Sequence, residues 1–124
     1  MLHEEDLTGQ IIGAAIDVHR ELGPGLLESA YEECLCHELS LRRISFQRQV
    51  PFPVLYKSVR LDCGFRADLI VDNRVVVELK AIETLTELYK AQLLTYLRIT
   101  RLKVGLLFNF NCEILKNGMV RLVL

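Results

Sequence analysis

Asp68, Glu78 and Lys80 stand inside two β-branched apolar runs, FRADLIV (65–71) and VVVELKA (75–81), separated by Asp72-Asn73-Arg74. Charged side chains in the middle of such runs are costly to bury, so their positions ask for a chemical reason. The loop Asp72–Arg74 reads as a hairpin connection, and successive strand side chains point to opposite faces. Phe65, Ala67, Leu69 and Val71 then share one face, and Arg66, Asp68 and Ile70 the other. Val75, Val77 and Leu79 likewise oppose Val76, Glu78 and Lys80. In that register Asp68 faces Glu78 and Arg66 faces Lys80. Like charges opposed across a sheet repel, so something positive must stabilise the Asp68–Glu78 pair, either Lys80 or a bound cation. Two close carboxylates suit Mg²⁺, which takes oxygen ligands and is held by one or two carboxylates plus substrate phosphate. Such a cation lowers the pKa of a bound water, and Lys80 could stabilise charge developing on a phosphate. The plain alternative is a structural ion pair of Asp68 or Glu78 with Lys80 or Arg66 on a solvated sheet face.

The elements that must position these groups follow from periodicity. Leu7, Ile11, Ala14, Ala15, Val18 and Leu22 recur at helical spacing and predict a helix over about 5–22. Gly23-Pro24-Gly25 ends it and starts a second helix over about 26–42, since Pro suits a first helical turn and Gly a helix end. This turn lacks the Lys-Ser/Thr of a phosphate-binding loop. In SFQRQVPFPVLYK (45–57), Pro51 and Pro53 restrict ladder bonding and point to an edge strand or a bulge. The hairpin 64–80 follows, then a third helix over about 83–100 and a buried strand, VGLLFNF (104–110). CEILKNGMVRLVL closes the chain with Asn117-Gly118, a strong hairpin signal. The order, roughly ααβββαββ, predicts an α/β fold with one mixed sheet flanked by helices, in a single domain over 1–124.

Several residues on the helices read differently alone and in company. Leu85, Leu88, Tyr89, Gln92, Tyr96 and Ile99 form one stripe, so Gln92 is expected to face the core or a cleft, where its amide needs partners. Ala91, Leu94 and Leu97 make a second side apolar, as either a homodimer interface or a deep core would require. Glu28, taken alone, is a first-turn acid favoured by the helix dipole. Tyr31 is a core aromatic with its hydroxyl paired, and His19 a structural residue beside a helix end.

Bulk properties set the limits. The 124 residues suffice for one core, and 51% hydrophobic with 25% charged residues is ordinary for a soluble globular chain. MLHEEDL is acidic and lacks the features of a signal peptide, and no apolar run reaches bilayer-spanning length, so a cytoplasmic protein without membrane association is expected. Cys34, Cys36, Cys63 and Cys112 show no paired metal spacing, and a disulfide framework is not expected in a reducing compartment. Cys34, Cys36 and His37 lie close in sequence, but on a helix Cys36 points away from the face of the other two. Net charge is −1 but uneven: residues 1–38 hold nine acids and one base, and 39–124 hold seven acids and fourteen bases. The bases Arg42, Arg43, Arg48, Lys57, Arg60 and Arg66 could form a polyanion-facing surface. Equally, basic strands could pair with acidic helices inside the fold.

Three motifs in order carry a family resemblance. Asp68 followed by Glu78-Leu79-Lys80 resembles the motif of the PD-(D/E)XK, or restriction-endonuclease-like, nucleases. Gln92-Leu-Leu-Thr-Tyr96 resembles the Gln-x-x-x-Tyr motif of RecB-like members. Gly25-Leu-Leu-Glu28-Ser-Ala-Tyr31 looks like the signature of the GxxExxY proteins, a small branch of that superfamily. The likeness extends through RQVPFPVLYK, GFRADLIV, VELKA, QLLTYL and GLLFNF, with Ala67 standing where the superfamily name has proline. The resemblance implies that Asp68, Glu78 and the Leu79 carbonyl bind Mg²⁺ (or Mn²⁺), with Glu28 approaching that metal. It implies that Lys80 is the catalytic lysine and that Gln92 and Tyr96 line the site. The function implied is Mg²⁺-dependent hydrolysis of phosphodiester bonds in nucleic acid, DNA or RNA. The rival expectation is a catalytically silent nucleic-acid-binding or protein-interaction module on the same fold. It draws on the chain's small size and its lack of net positive charge.

Overall fold

The apolar spacing from Leu7 to Leu22 forms α1 (Glu4–Leu22), and after the Gly-Pro-Gly turn comes α2 (Glu28–Leu41). Gly23 and Gly25 take φ of 67° and 104°, a region that glycine enters without steric cost. Three strands follow, β1 (Phe46–Tyr56), β2 (Val59–Val71) and β3 (Val75–Lys80), then α3 (Glu87–Thr100), β4 (Val104–Asn109), a short 3-10 helix (Leu115–Gly118) and β5 (Met119–Val123). The computed structural model describes residues 4–124, with only the backbone of Cys63. Met1–His3, the beginning of the acidic start discussed above, and the Cys63 side chain lie outside the described residues.

The five strands form one sheet in the order β1-β2-β3-β4-β5. Only β3 and β4 pair in parallel, with α3 in their connection, and the other neighbours are antiparallel. The sheet is therefore mixed, with helices on both faces, as the alternation of helical and strand periodicities requires. On one face Leu7, Ile11, Val18, Tyr31, Leu35 and Leu39 of α1 and α2 bury Leu69, Val75, Val77 and Leu106. On the other, Leu93 and Leu97 of α3 bury Ala67, Ile70, Val76 and Leu107. Each fully buried aliphatic side chain contributes about 1.5–3 kcal/mol.

Two details depart from the strand pattern. Leu69 and Val71 pack under α1 and α2, whereas Ala67 and Phe65 belong with the α3 cluster. The four do not share a face, and β1 makes the same exchange, with Phe46 on the first side and Val50 and Phe52 on the second. The switch falls at Gln49, whose φ of 51° breaks the extended backbone opposite Asp68. Simple alternation presumes an uninterrupted pleat, and here the pleat is interrupted.

The second departure is Asn117-Gly118. The two-residue hairpin turn that Asn-Gly favours needs positive φ at both central residues, and neither has it. They close the 3-10 helix, which lies within the long connection between the antiparallel strands β4 and β5. Glycine is required there for closeness instead: a Cβ on Gly118 would lie 2.5 Å from the Asn109 carbonyl oxygen.

Candidate active site at the parting of β2 and β3

The β2–β3 ladder runs Val71↔Val75, Ile70↔Val76, Leu69↔Val77 and stops. The next positions in that register are Asp68 and Glu78, so the two carboxylates do oppose each other, at the point where the strands separate. Their side chains take over the ladder's hydrogen bonds. The Asp68 N–H donates to Glu78 Oε1 at 3.2 Å, and the Leu79 N–H donates to Asp68 Oδ2 at 2.8 Å. Beyond this point β2 pairs only with β1, and β3 only with β4. Arg66 therefore does not pair across from Lys80.

Burial makes the Glu78 carboxyl a poor anion. It is 6% exposed, and desolvation first, then the adjacent Asp68 charge, push its pKa up to about 8; the Asp68 N–H and Lys80 act in the opposite sense. Lys80, half-buried at the end of β3, lies over the Tyr89 ring of α3, its ammonium 5.5 Å from the centroid. This cation–π contact holds the lysine on the α3 side of the parted strands.

The helices close in from two directions. Glu28 is the first residue of α2, and its carboxyl pKa is raised by burial, with Lys80 opposing and Asp68 and Glu32 adding to the rise. Its placement depends on the turn before it. Tyr31, fully buried and stacked on Phe110 at 4.4 Å, donates its hydroxyl to the Gly23 carbonyl at 2.6 Å and accepts from the Leu26 N–H at 3.2 Å. Gly25, Glu28 and Tyr31 thus act as one device: glycine makes the bend, tyrosine fastens it to the core, and the acid projects from its end. From α3, Tyr96 lies in the field of the pair: burial, then the charges of Glu78 and Asp68, raise its hydroxyl pKa. Gln92 is exposed rather than facing the core, because the buried stripe of α3 is Leu93 and Leu97. Leu88, of the predicted stripe, is 71% exposed.

Four polar residues outside the three motifs, Gln49, Glu32, Arg48 and Asn109, hold this arrangement. Gln49 Nε2 donates to Glu32 Oε1 at 2.6 Å and, more weakly, to Asp68 Oδ1 at 3.4 Å. Glu32, only 9% exposed, also accepts from Arg48 through Nε at 3.2 Å and a second nitrogen at 2.8 Å, a two-point pairing of high directional strength. Asp68 is thereby steadied from β1 and α2 together. On the other side, the buried Asn109 side chain accepts from the Ile82 N–H and donates to the Ile82 carbonyl, both at 3.0 Å, fixing the exit of the chain from Lys80. An amide inside the apolar run VGLLFNF must find partners, so Asn109 carried a readable signal. Gln49 carried none.

Part of the basic stretch pairs within the fold, through Arg48 and Arg42, while Arg43, Lys57 and Arg66 stay exposed. Arg48 also meets Glu33 at 2.7 Å, and Arg42 meets Asp17 of α1 at 2.8 Å. Cys36, in the cysteine pair of α2, is buried, and burial pushes its thiol up to about 11.

The donor chemistry fits a hard divalent cation. Asp68 and Glu78 present oxygen ligands only, as Mg²⁺ prefers, and a cation between them would offset the repulsion and burial that hold Glu78 protonated. Among the described residues no three His, Cys, Asp or Glu side chains form a metal-holding group, so Glu28 stands beside the pair. No helix among the described residues is long and apolar enough to cross a membrane. The family model of the PD-(D/E)XK nuclease superfamily matches residues 5–122. No curated protein and no solved structure matches the chain significantly.

Proposed function

The chain belongs to the PD-(D/E)XK nuclease superfamily, and from that premise we propose that it is a Mg²⁺-dependent nuclease of the GxxExxY branch, folded as a single domain. The observation that carries the reading is the Asp68–Glu78 pair, set where β2 and β3 part, with Lys80 on the same strand. Asp68, Glu78 and the Leu79 carbonyl would hold Mg²⁺, or Mn²⁺ in its place, with Glu28 as the neighbouring acid. The bound ion would supply Lewis acidity and a water of lowered pKa.

The chain's own residues account for the rest of the chemistry. The Leu79 N–H and Gln49 amide orient Asp68 before any ligand arrives. To hold the ion Glu78 would be ionised, its proton released to solvent, which would couple binding to pH. The Lys80 ammonium, held over Tyr89, meets the charge that gathers on phosphate oxygens during phosphodiester cleavage. Tyr96 and Gln92 of α3 flank the approach of the nucleic acid.

Calorimetric titration of Mn²⁺ into the wild type and Asp68→Ala tests the site without a guess about substrate. Binding in the wild type that vanishes in the variant is expected, together with Mg²⁺-dependent cutting of DNA or RNA that Lys80→Ala abolishes. Cutting that survives in Lys80→Ala overturns the role given to the lysine. A wild type that binds no cation and cuts nothing returns the chain to the silent binding module.

A further inference from the structure

Tyr96 is the inner end of a three-ring stack. Its ring lies parallel to Phe65 at a centroid distance of 3.8 Å, and Phe65 stacks on Phe52 at 5.3 Å. The stack runs from α3 across β2 to β1, away from the two carboxylates. Its outer ring, Phe52, is half-buried and lines a cavity of about 330 Å³ together with Pro51, Pro53, Phe65, Arg60 and Arg66. The cavity sits at the β-bulge between Phe52 and Val54, a device that re-aims side chains beside functional sites. Opposite the bulge, Gly64 lies so close to β1 that a Cβ would overlap the Phe52 carbonyl oxygen, so the groove's floor admits no larger residue there. Arg60 meets Asp62, which also lines the cavity, at 3.4 Å, with both side chains mostly exposed. Arg66 is exposed and forms no ion pair among the described residues.

An aromatic face at the outer end of a stack, rimmed by arginines, is the chemistry that receives an unpaired nucleobase and its phosphate: bases stack on rings irrespective of sequence, and guanidinium groups bind phosphate. We propose that Phe52 and the cavity around it hold an unpaired base of the strand whose phosphate reaches Asp68 and Glu78, so that the substrate is a single strand rather than a duplex. In duplex the base faces are covered by their neighbours and present no surface to Phe52. The inference rests on the nuclease reading for the destination of the strand, but the base pocket is testable apart from turnover.

Binding of fluorescein-labelled oligothymidylate and oligouridylate is measured by anisotropy in EDTA, against a duplex of mixed sequence. The expected result is tighter binding of single strands than of duplex, weakened about tenfold by Phe52→Ala. Phe52→Leu, which keeps apolar packing without a ring, should weaken it comparably, and Arg66→Gln should reduce its salt dependence. All three variants should keep the Mn²⁺ binding of the wild type. Duplex bound as tightly as single strand, or single strands bound equally by wild type and Phe52→Leu, overturns the pocket even if Mg²⁺-dependent cutting is found. Phe52-dependent binding in a protein that neither binds Mn²⁺ nor cuts would support the pocket while removing the nuclease reading.

Discussion

The same two strands, β2 and β3, behave in opposite ways on either side of one residue pair. From Val71↔Val75 to Leu69↔Val77 backbone meets backbone, every side chain is buried, and apolar residues fill both faces. At Asp68 and Glu78 the side chains accept the N–H groups instead, and the strands go separate ways. Composition already separates the halves, since Leu69–Val71 and Val75–Val77 are β-formers whereas Asp68, Glu78 and Lys80 are residues that strands disfavour. What differs is who satisfies the backbone. Carboxylates that accept the ladder's own donors split the sheet and stand in the gap they make.

That contrast can be broken most severely at Lys80. Lys80→Ala should abolish Mg²⁺-dependent cutting, a loss of at least about 10²-fold, read as initial rates on a labelled oligonucleotide, with the circular dichroism spectrum unchanged. A matching loss of structure would mean that the lysine belongs to the closed half. Leu69→Ala tests that half directly. Urea unfolding should show a loss of about 2–5 kcal/mol, and a loss below ~1 kcal/mol would deny that the ladder is the anchor of the site.

Glu78→Gln sharpens the comparison through pH. The buried Glu78 carboxyl has a folded pKa of about 8 against an ordinary 4.5, so the folded chain binds the extra proton between those values. Cation-free stability should therefore be greatest near the acid end of that window and fall as pH rises toward about 8. The slope contributed is at most ~1.4 kcal/mol per pH unit. The amide introduced by Glu78→Gln keeps an acceptor for the Asp68 N–H but cannot titrate, so the slope should flatten; an unchanged slope would place the proton elsewhere. The smallest effect is expected at Gln49. Gln49→Ala removes one support of Asp68 and should weaken Mn²⁺ by about tenfold in calorimetry, with thermal stability nearly unchanged. Undiminished affinity would mean that the Leu79 N–H alone orients the acid.

The carboxylate pair was legible because charge inside a β-branched run is improbable without a use, and the Asp72–Arg74 loop set the register that opposes it. The helix order and the mixed sheet followed from periodicities that the core enforces, Leu7 to Val18 on one face and Leu93 with Leu97 on the other. The exchange of faces at Asp68 was hidden, because it depends on one backbone angle at Gln49 that no residue-type preference announces. Gln92 does not face the core: Leu85, Tyr89 and Tyr96 of its stripe pack against the cluster of Leu93 and Leu97, but Gln92 and Leu88 stand exposed beside it. Asn117-Gly118 imitated a hairpin turn since its glycine serves proximity to Asn109 rather than a left-handed bend. The charge asymmetry left two readings open, and the fold divides the bases between them: Arg42 and Arg48 meet acids of α1 and α2, partners distant in sequence, while Arg60 and Arg66 remain on the surface.

The one parallel pair, β3–β4, has a consequence for the order of assembly. β2 and β3 meet across three residues, Asp72 to Arg74, whereas β4 can join β3 only after the chain has traversed α3. Closing a longer loop costs more entropy and slows the step that needs it. Asp68 and Glu78 should thus be brought together early, while water still surrounds both, and Glu78 loses most of its water when α3 and β4 arrive. In pulse-labelled hydrogen exchange the amides of Leu69–Val71 should gain protection before those of Val104–Phe108. Nascent chains would then pass through a stage in which the acids are gathered but Glu78 is not yet sheltered.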